Sequence, residues 1–118
     1  MQAINKIKGF PDLFSPESDK YSFIEQTAKE VFSRYGCREL RIPILEKTEL
    51  CARSIGGDTD IVQKEMYTFA DRKNRSLTLR PEATAGVVRA YIENKIYNLE
   101  STSKLFTCGP MFRYERPQ

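Results

Sequence analysis

Two short runs of strand-forming residues lie close together near the middle of the sequence, from Met66 to Phe69 and from Ser76 to Arg80. Between them stands the polar segment Asp71 to Asn74, whose residue types are typical of a tight turn. Neighbouring strands, in an order that also mixes in helices, favour an α+β fold with a largely antiparallel sheet. The same order argues against a doubly wound α/β fold, in which strands and helices alternate.

A long amphipathic helix is predicted ahead of these strands, beginning near Ser15 and ending at Gly36. Ser15 can cap the free N–H groups of the first turn, and Pro16 suits the first helical position. Gly36 can adopt the left-handed conformation that ends many helices. The apolar residues of this segment recur at helical spacing and form one stripe, made of Tyr21, Ile24, Ala28, Val31, Phe32 and Tyr35.

A strand is predicted from Cys37 to Ile44, because Leu40, Ile42 and Ile44 alternate with polar neighbours. Pro43 has no N–H to donate, so this strand should lie at a sheet edge or at a subunit boundary. The pattern leaves two interpretations open. Pro43 can belong to an ordinary edge strand that resists aggregation, or to a helix-and-strand pair used for dimer contact.

Three further patterns complete the predicted order of elements. The first is a short helix from Glu49 to Ile55 that ends at Gly56-Gly57. The second is a further helix that starts at Pro81 and carries Val87, Val88, Tyr91 and Ile92. The third is a pair of strands, Lys104 to Cys108 and Met111 to Glu115, separated by Gly109-Pro110. The sequence contains no Gly-rich phosphate loop of either common type. A bound nucleotide would therefore be held by Arg side chains and the sheet.

Composition excludes several classes of protein. The chain of 118 residues has a net charge of +3 but no run of Lys or Arg that would mark a nucleic-acid-binding surface. Its apolar runs are too short to span a membrane, and its first residues lack a secretory signal, so a cytosolic protein is expected. Cys37, Cys51 and Cys108 are widely spaced, which favours reduced, packed thiols over a disulfide framework or a zinc site. Because the chain has no His, its chemistry must use carboxylates, Arg, hydroxyls and the substrate.

The first candidate site is the strand-to-helix junction that carries Glu82 and, two residues later, Thr84. A helix N-terminus supplies unpaired N–H groups, and an added carboxylate makes a site that can take an ammonium group. The simpler interpretation is structural: Glu82 complements the helix dipole and Thr84 caps the helix. Spacing by itself favours the structural interpretation.

The second candidate site is the strand predicted to carry Arg113 and Glu115. Side chains alternate along a strand, so these two should share one face. They can simply pair with each other. Alternatively, Arg113 clamps a phosphate through its planar fork while Glu115 accepts a hydrogen bond from an exocyclic amine. Spacing leaves these interpretations even.

Six segments, taken in order along the chain, resemble the histidyl-tRNA synthetase family. They are Lys8-Gly9-Phe10-Pro11-Asp12, Ile42-Pro43, Gly57-Asp58-Thr59-Asp60-Ile61-Val62, Lys64-Glu65-Met66-Tyr67-Thr68-Phe69, Leu79-Arg80-Pro81-Glu82-Ala83-Thr84 and Gly109-Pro110-Met111-Phe112-Arg113-Tyr114-Glu115-Arg116-Pro117-Gln118. Each segment alone is unspecific, whereas the ordered set is specific and covers nearly the whole chain.

The resemblance implies a class II synthetase catalytic fold, an antiparallel sheet flanked by helices. It also implies ATP-dependent activation of histidine to histidyl-adenylate and transfer to tRNA(His), with Mg²⁺ accompanying ATP and no metal ligand expected in this chain. In the family, the residue matching Arg113 contacts the α-phosphate of ATP and the carboxylate end of histidine. The residue matching Glu115 holds the adenine amine, and those matching Glu82 and Thr84 hold the histidine ammonium. The first helix and the Pro43 strand are similar to motif 1, which implies a homodimer.

The resemblance also sets an expected extent. Residues 1–118 match the N-terminal part of the catalytic domain, with motif 1 and the first half of motif 2 and without an anticodon-binding domain, so the chain alone is expected to be inactive. Ala83 stands where Gly is common in the family, which could crowd a close backbone approach. Two regulatory proteins are the alternatives: a pseudo-synthetase domain attached to a kinase, and the synthetase-like regulatory subunit of ATP phosphoribosyltransferase. The latter usually lacks the ending Tyr114-Glu115-Arg116-Pro117-Gln118.

Overall fold

The computed structural model describes residues 2–55 and 64–114. The chain divides into two compact units, Met1–Gly36 and Cys37–Gln118. Within the described residues, no helix is both long enough and apolar enough to cross a membrane.

The first unit is built around the predicted amphipathic helix, α1, which spans Glu17–Arg34. Its last turn closes as predicted, because Gly36 adopts a left-handed backbone with φ of +79°. None of its residues is buried within the protein, and its apolar stripe faces solvent: Tyr21, Ile24 and Tyr35 are all more than half exposed. Exposed apolar side chains in such number form a contiguous patch that is unusual on a surface in contact with water alone.

The predicted cap of α1 is wrong. Pro16 occupies the N-cap position, and no side chain caps the helix. The hydroxyl of Ser15 instead donates to the carboxylate of Asp19, one turn into the helix. No side-chain hydrogen bond therefore caps the first turn, and the acidic residues Glu17 and Asp19 complement the positive end of the helix dipole there.

The second unit contains a three-stranded antiparallel sheet made of β2 (Leu45–Lys47), β3 (Thr68–Ala70) and β4 (Ser76–Leu79), in the order β2-β4-β3. The hairpin β3–β4 confirms the pairing predicted from the sequence. Its turn closes on the carboxylate of Asp71, whose Oδ1 accepts hydrogen bonds from the main-chain N–H groups of Lys73 and Arg75 at 2.9 and 2.8 Å.

The strand predicted from Cys37 to Ile44 is wrong in its position. Only its first part forms a strand, β1 (Arg38–Glu39), and β2 begins directly after it, at Leu45. β1 pairs in parallel with β5 (Leu105–Phe106), a contact that the sequence pattern did not indicate. The chain leaves the ladder around Pro43, which has no N–H to donate, and the carbonyl of Ile44 accepts instead from the main chain of Arg80 at 2.8 Å.

Two helices pack together on the three-stranded sheet. α2 spans Thr48–Ile55 and confirms the predicted short helix, while its predicted stop at Gly56-Gly57 lies outside the described residues. α3 spans Thr84–Glu93 and a 3₁₀ turn, Ile96–Asn98, follows it. The predicted start of α3 at Pro81 is wrong by one turn.

The final segment of the described chain is extended but forms no regular strand. The N–H of Phe112 donates to the carbonyl of Arg80 at 2.9 Å, and the N–H of Tyr114 donates to the carbonyl of Glu65 at 2.7 Å. The strand predicted from Met111 to Glu115 is therefore present only as two isolated hydrogen bonds, and Glu115 lies outside the described residues.

The buried centre of this unit is partly polar. Thr78 on the middle strand is fully buried, and its hydroxyl is bonded to the hydroxyls of Thr48 and Thr68 at 2.9 and 3.0 Å. Because each buried hydroxyl has a partner, the network carries little of the cost of burying polar groups. Cys51 and Met66 supply apolar surface beside it.

Candidate active site

The junction between β4 and α3 is organised by the carboxylate of Glu82. Its Oε2 accepts a hydrogen bond from the main-chain N–H of Thr84 at 2.6 Å, and its Oε1 accepts one from Ala85 at 3.2 Å. The half-buried carboxylate thus satisfies two of the N–H groups that begin α3 and sits at the positive end of the helix dipole. This is why the helix starts at Thr84 and not at Pro81.

Arg113 reaches the same junction from a distant part of the chain. Its Nε donates a hydrogen bond to the carbonyl of Pro81 at 3.0 Å. Pro81 directly precedes Glu82, so the structure brings together three of the four residues singled out in the sequence: Glu82, Thr84 and Arg113. The fourth, Glu115, lies outside the described residues.

An open cavity of about 840 Å³ adjoins this junction, between α2 and α3. Glu82 and Thr84 line it at the start of α3, and Ser54 on α2 lies opposite, with its hydroxyl 3.4 Å from Glu82 Oε1. Further along, apolar side chains dominate the lining, among them Leu50 and Val88. A cavity with a largely apolar wall and a few polar groups is the usual form of a small-molecule site.

Glu46 and Arg89 form a buried ion pair that joins β2 to α3. Two parallel hydrogen bonds, each 2.9 Å long, connect Nε and Nη2 of Arg89 to the two carboxylate oxygens of Glu46. Arg89 also binds Glu93 on the outer side, at 2.7 Å. These bonds raise the pKa of Arg89, the bond to Glu46 having the largest effect.

Gly86 allows α3 to lie against this pair. A Cβ atom at Gly86 would approach Cδ1 of Ile42 to 2.7 Å and Oε1 of Glu46 to 3.1 Å. The first distance is shorter than a carbon–carbon contact allows. Glycine at this position therefore allows the close approach of α3 to the side chains of Ile42 and Glu46, and a larger residue would require the Ile42 side chain to move.

The thiols differ from the prediction of three packed groups. Cys51 is buried, Cys37 is partly buried and Cys108 is exposed, and none forms a disulfide. Burial raises the pKa of the Cys51 thiol, and the nearby carboxylates of Glu46 and Glu82 raise it further. The prediction that the thiols are reduced stays a prediction, and that of packing is wrong for Cys108.

Sequence reasoning missed Arg80, the residue that ties this region together. Its side chain is only 3% exposed. Nε donates to the carbonyl of Pro110 at 2.9 Å, and Nη1 donates to that of Ile42 at 3.4 Å. The sequence did contain a signal, because Arg80 ends a predicted strand with an apolar pattern. An Arg that is buried with such a strand must find hydrogen-bond partners, since burying an unpaired guanidinium is costly.

Comparison with known proteins identifies the family of the chain. The family model described as histidyl-tRNA synthetase matches residues 9–118. The chain belongs to the histidyl-tRNA synthetase family. Within this family, it is 71% identical over 118 residues to the histidine–tRNA ligase of Oleidesulfovibrio alaskensis and 70% identical to that of Maridesulfovibrio salexigens. Each match covers all of this chain, which spans about 28% and 29% of the length of those ligases.

Solved structures of the histidyl-tRNA synthetase family share the fold. The apo synthetase of S. aureus superimposes with a TM-score of 0.81 at 42% identity, over 95% of this chain and 26% of that one. A Bacillus halodurans protein described as an ATP phosphoribosyltransferase regulatory subunit/histidyl-tRNA synthetase has the same TM-score at 18% identity, over 98% of this chain and 29% of that one. At such identity the likeness shows the fold alone, so the regulatory alternative gains no support from it. The expected synthetase fold, with helices around a mainly antiparallel sheet, is confirmed.

Proposed function

We propose that the full-length protein carrying this sequence is a histidine–tRNA ligase. It activates histidine with ATP to form histidyl-adenylate and transfers the histidyl group to tRNA(His). The observation that carries the proposal is the hydrogen bond from Arg113 to the carbonyl of Pro81, in a chain 71% identical to such a ligase. It brings an arginine suited to phosphate to the residue that directly precedes Glu82, whose carboxylate suits an ammonium group.

Glu82 and Thr84 hold the ammonium group of histidine in this proposal. A carboxylate has about four lone-pair positions, so the two N–H bonds of Glu82 leave acceptor capacity for an ammonium donor. The negative charge of Glu82 offsets the positive end of α3, which would otherwise repel the ligand. Because Glu82 is half-buried, a charge-assisted hydrogen bond here is stronger than in water.

Arg113 holds the α-phosphate of ATP and the carboxylate end of histidine. Its planar guanidinium matches the geometry of both anions, and its bond to the carbonyl of Pro81, the residue before Glu82, supports this role. Glu115 accepts a hydrogen bond from the adenine amine. Mg²⁺ accompanies the ATP phosphates in this proposal.

The activation step needs no general base, because its nucleophile is a carboxylate that is already ionised, and this suits a chain without His. A histidine carboxylate oxygen attacks the α-phosphorus, a new P–O bond forms, and the bond to the leaving pyrophosphate breaks with its electrons. Negative charge gathers on the phosphoryl oxygens in the transition state, and a positioned Arg stabilises it there. In the second step, the oxygen of the terminal ribose hydroxyl of the tRNA attacks the carbonyl carbon of the mixed anhydride. The bond from that carbon to the phosphate oxygen breaks, and the hydroxyl proton passes to the phosphate of the departing AMP.

The test is ATP–pyrophosphate exchange by the full-length protein with each amino acid in turn. We expect exchange with histidine only. Arg113→Ala should reduce the rate about 100-fold or more, equivalent to about 3 kcal/mol, as removal of one preorganised donor does elsewhere. Arg72→Ala, an equal change at an exposed turn, is the control and should leave the rate unaltered. Histidine binding without exchange would instead support a regulatory histidine-binding protein.

We expect residues 1–118 alone to give no exchange, because they span about 28% of the length of the related ligases. Measurable exchange by this chain would contradict the assignment of a shared site to the longer protein. Since aminoacylation of tRNA supplies ribosomes, we also propose a cytoplasmic location.

A homodimer through α1 and the segment around Pro43 is part of the proposal. Its support is the exposed apolar stripe of α1, where Ile24 is 65% exposed. Ile24→Glu should shift the sedimentation of the full-length protein toward monomer. Glu25→Gln, beside it on an exposed position, serves as the control. Unchanged association of the Ile24 variant would remove α1 from the interface.

A further inference from the structure

Arg80 binds two chain segments through its side chain. Its Nε donates to the carbonyl of Pro110 at 2.9 Å, and its Nη1 donates to the carbonyl of Ile42 at 3.4 Å. The residue is 3% exposed. Burying a guanidinium is costly unless its donors are bonded, so this side chain has little freedom to move.

The main chain of Arg80 binds the same two regions. Its N–H donates to the carbonyl of Ile44 at 2.8 Å, and its carbonyl accepts from the N–H of Phe112 at 2.9 Å. One residue therefore fastens the chain before β2, the end of β4 and the segment that leads into Arg113. Four hydrogen bonds across three segments define their spacing more closely than any single bond could.

Gly109 lies directly against the guanidinium of Arg80. A Cβ atom at Gly109 would lie 2.4 Å from Nη2 of Arg80. Such a contact cannot exist without movement, and the guanidinium is held by its bonds to Pro110 and Ile42. Glycine at this position therefore lets the segment that leads to Arg113 lie directly on Arg80.

We propose that Arg80 is a positioning residue that sets the distance between the guanidinium of Arg113 and the carboxylate of Glu82. Arg113 follows Phe112, which is bonded to the carbonyl of Arg80, and Glu82 stands two residues after Arg80. The proposal rests on the proposed function, since it concerns the alignment of the phosphate-binding and ammonium-binding groups. Arg80 itself touches neither substrate; it acts through Arg113 and Glu82.

The test uses two variants of the full-length protein, Arg80→Lys and Gly109→Ala. Lys keeps the charge but cannot bond two carbonyls in a fixed fork. Gly109→Ala keeps arginine at position 80, but its added methyl group displaces the guanidinium of Arg80. Histidine-dependent pyrophosphate exchange is measured per active site, counted by the burst of adenylate formation. We expect kcat to fall on the order of 100-fold for Arg80→Lys, since misplacement by about 1 Å has that effect. For Gly109→Ala the fall should be about 10-fold, with KM for ATP and histidine changed less than about 3-fold.

A purely structural role is separated by a control and a double variant. Thr78 lies on β4, two residues before Arg80. Thr78→Val removes its buried hydrogen bonds to Thr48 and Thr68 and should lower stability without changing kcat per active site. In an Arg113→Lys background, the loss caused by Arg80→Lys should shrink to less than about 5-fold, because residues that act as a unit are not additive. Equal losses in both backgrounds, or a Thr78 variant with the same kcat defect, would overturn the proposal.

Failure of the proposed function would look different. If the unaltered protein shows no histidine-dependent exchange, the ligase assignment itself fails. If it exchanges and both the Arg80 and Gly109 variants retain full kcat per active site, only the positioning role fails.

Discussion

Replacement of Glu46 by Gln is the perturbation whose cost can be worked out most directly. Glu46 is 8% exposed and accepts two parallel hydrogen bonds of 2.9 Å from Arg89, whose side chain is 28% exposed. Gln keeps the shape of the side chain but removes the charge. The NH₂ group of Gln then faces one of the Arg89 donors, so one hydrogen bond is lost. The remaining bond joins the charged guanidinium to a neutral amide oxygen.

The expected loss follows from the burial of the pair. A hydrogen bond to a charged group contributes about 1.5–3 kcal/mol, and breaking a fully buried pair costs about 3–5 kcal/mol. Arg89 is partly exposed and keeps its bond to Glu93. We therefore expect Glu46→Gln to lower the free energy of unfolding by about 2 kcal/mol, below the fully buried value.

Glu93→Gln is the matched control, since it removes the same charge from the other side of Arg89. Glu93 is 68% exposed and lies one turn along α3, where such pairs contribute about 0.3–0.5 kcal/mol. Urea unfolding followed by circular dichroism measures both losses, at low salt and at about 0.5 M salt, where only exposed pairs are screened. Equal losses for the two variants, or a Glu46 effect that salt abolishes, would refute the assignment of a buried pair.

Two further predictions follow from the titratable groups. The hydrogen bond from the main-chain N–H of Arg75, with smaller contributions from the Arg75 side chain and the N–H of Lys73, holds the pKa of Asp71 below its usual range. The ionised carboxylate of Asp71 therefore stabilises the folded protein above about pH 3.9, and this stabilisation is lost as pH falls through the lowered pKa. Asp71→Asn should therefore flatten the acid side of a plot of unfolding free energy against pH, and an unchanged slope would contradict the role of this turn. Cys51, with its raised pKa and buried position, should react with iodoacetamide far more slowly than exposed Cys108 in the folded protein and equally fast in urea, as mass spectrometry of the labelled peptides can determine.

The parts of the fold that the sequence predicts well are those set by local interactions. The hairpin β3–β4 is determined by its turn, where Asp71 binds the N–H groups of Lys73 and Arg75. The helix α1 follows from apolar spacing and from the glycine at its end. In both, the deciding contacts lie within a few residues of each other.

The wrong predictions concern positions where a distant residue decides. Leu40 to Ile44 has the alternation of a strand, yet its two ends bond to different sheets. The N–H of Leu40 donates to the carbonyl of Phe106, whereas the carbonyl of Ile44 accepts from the N–H of Arg80. The parallel pairing of β1 with β5 joins residues more than 60 positions apart. Periodicity describes which face of a segment is apolar and contains no information about which segment lies beside it.

At the candidate site, the structural and the functional interpretations of Glu82 prove compatible. The sequence posed them as alternatives, but the bonds from Thr84 and Ala85 make the carboxylate a cap and also hold it in one orientation. A ligand that meets a group already held in place loses less conformational entropy on binding than one that must order it. The observed helix capping and the proposed ammonium binding can therefore use one arrangement. What spacing could not reveal is that Arg113, about thirty residues after Glu82, donates to the carbonyl of Pro81. Nor could it reveal that the buried Arg80 is bonded to Pro110 and Phe112, in the segment that leads to Arg113.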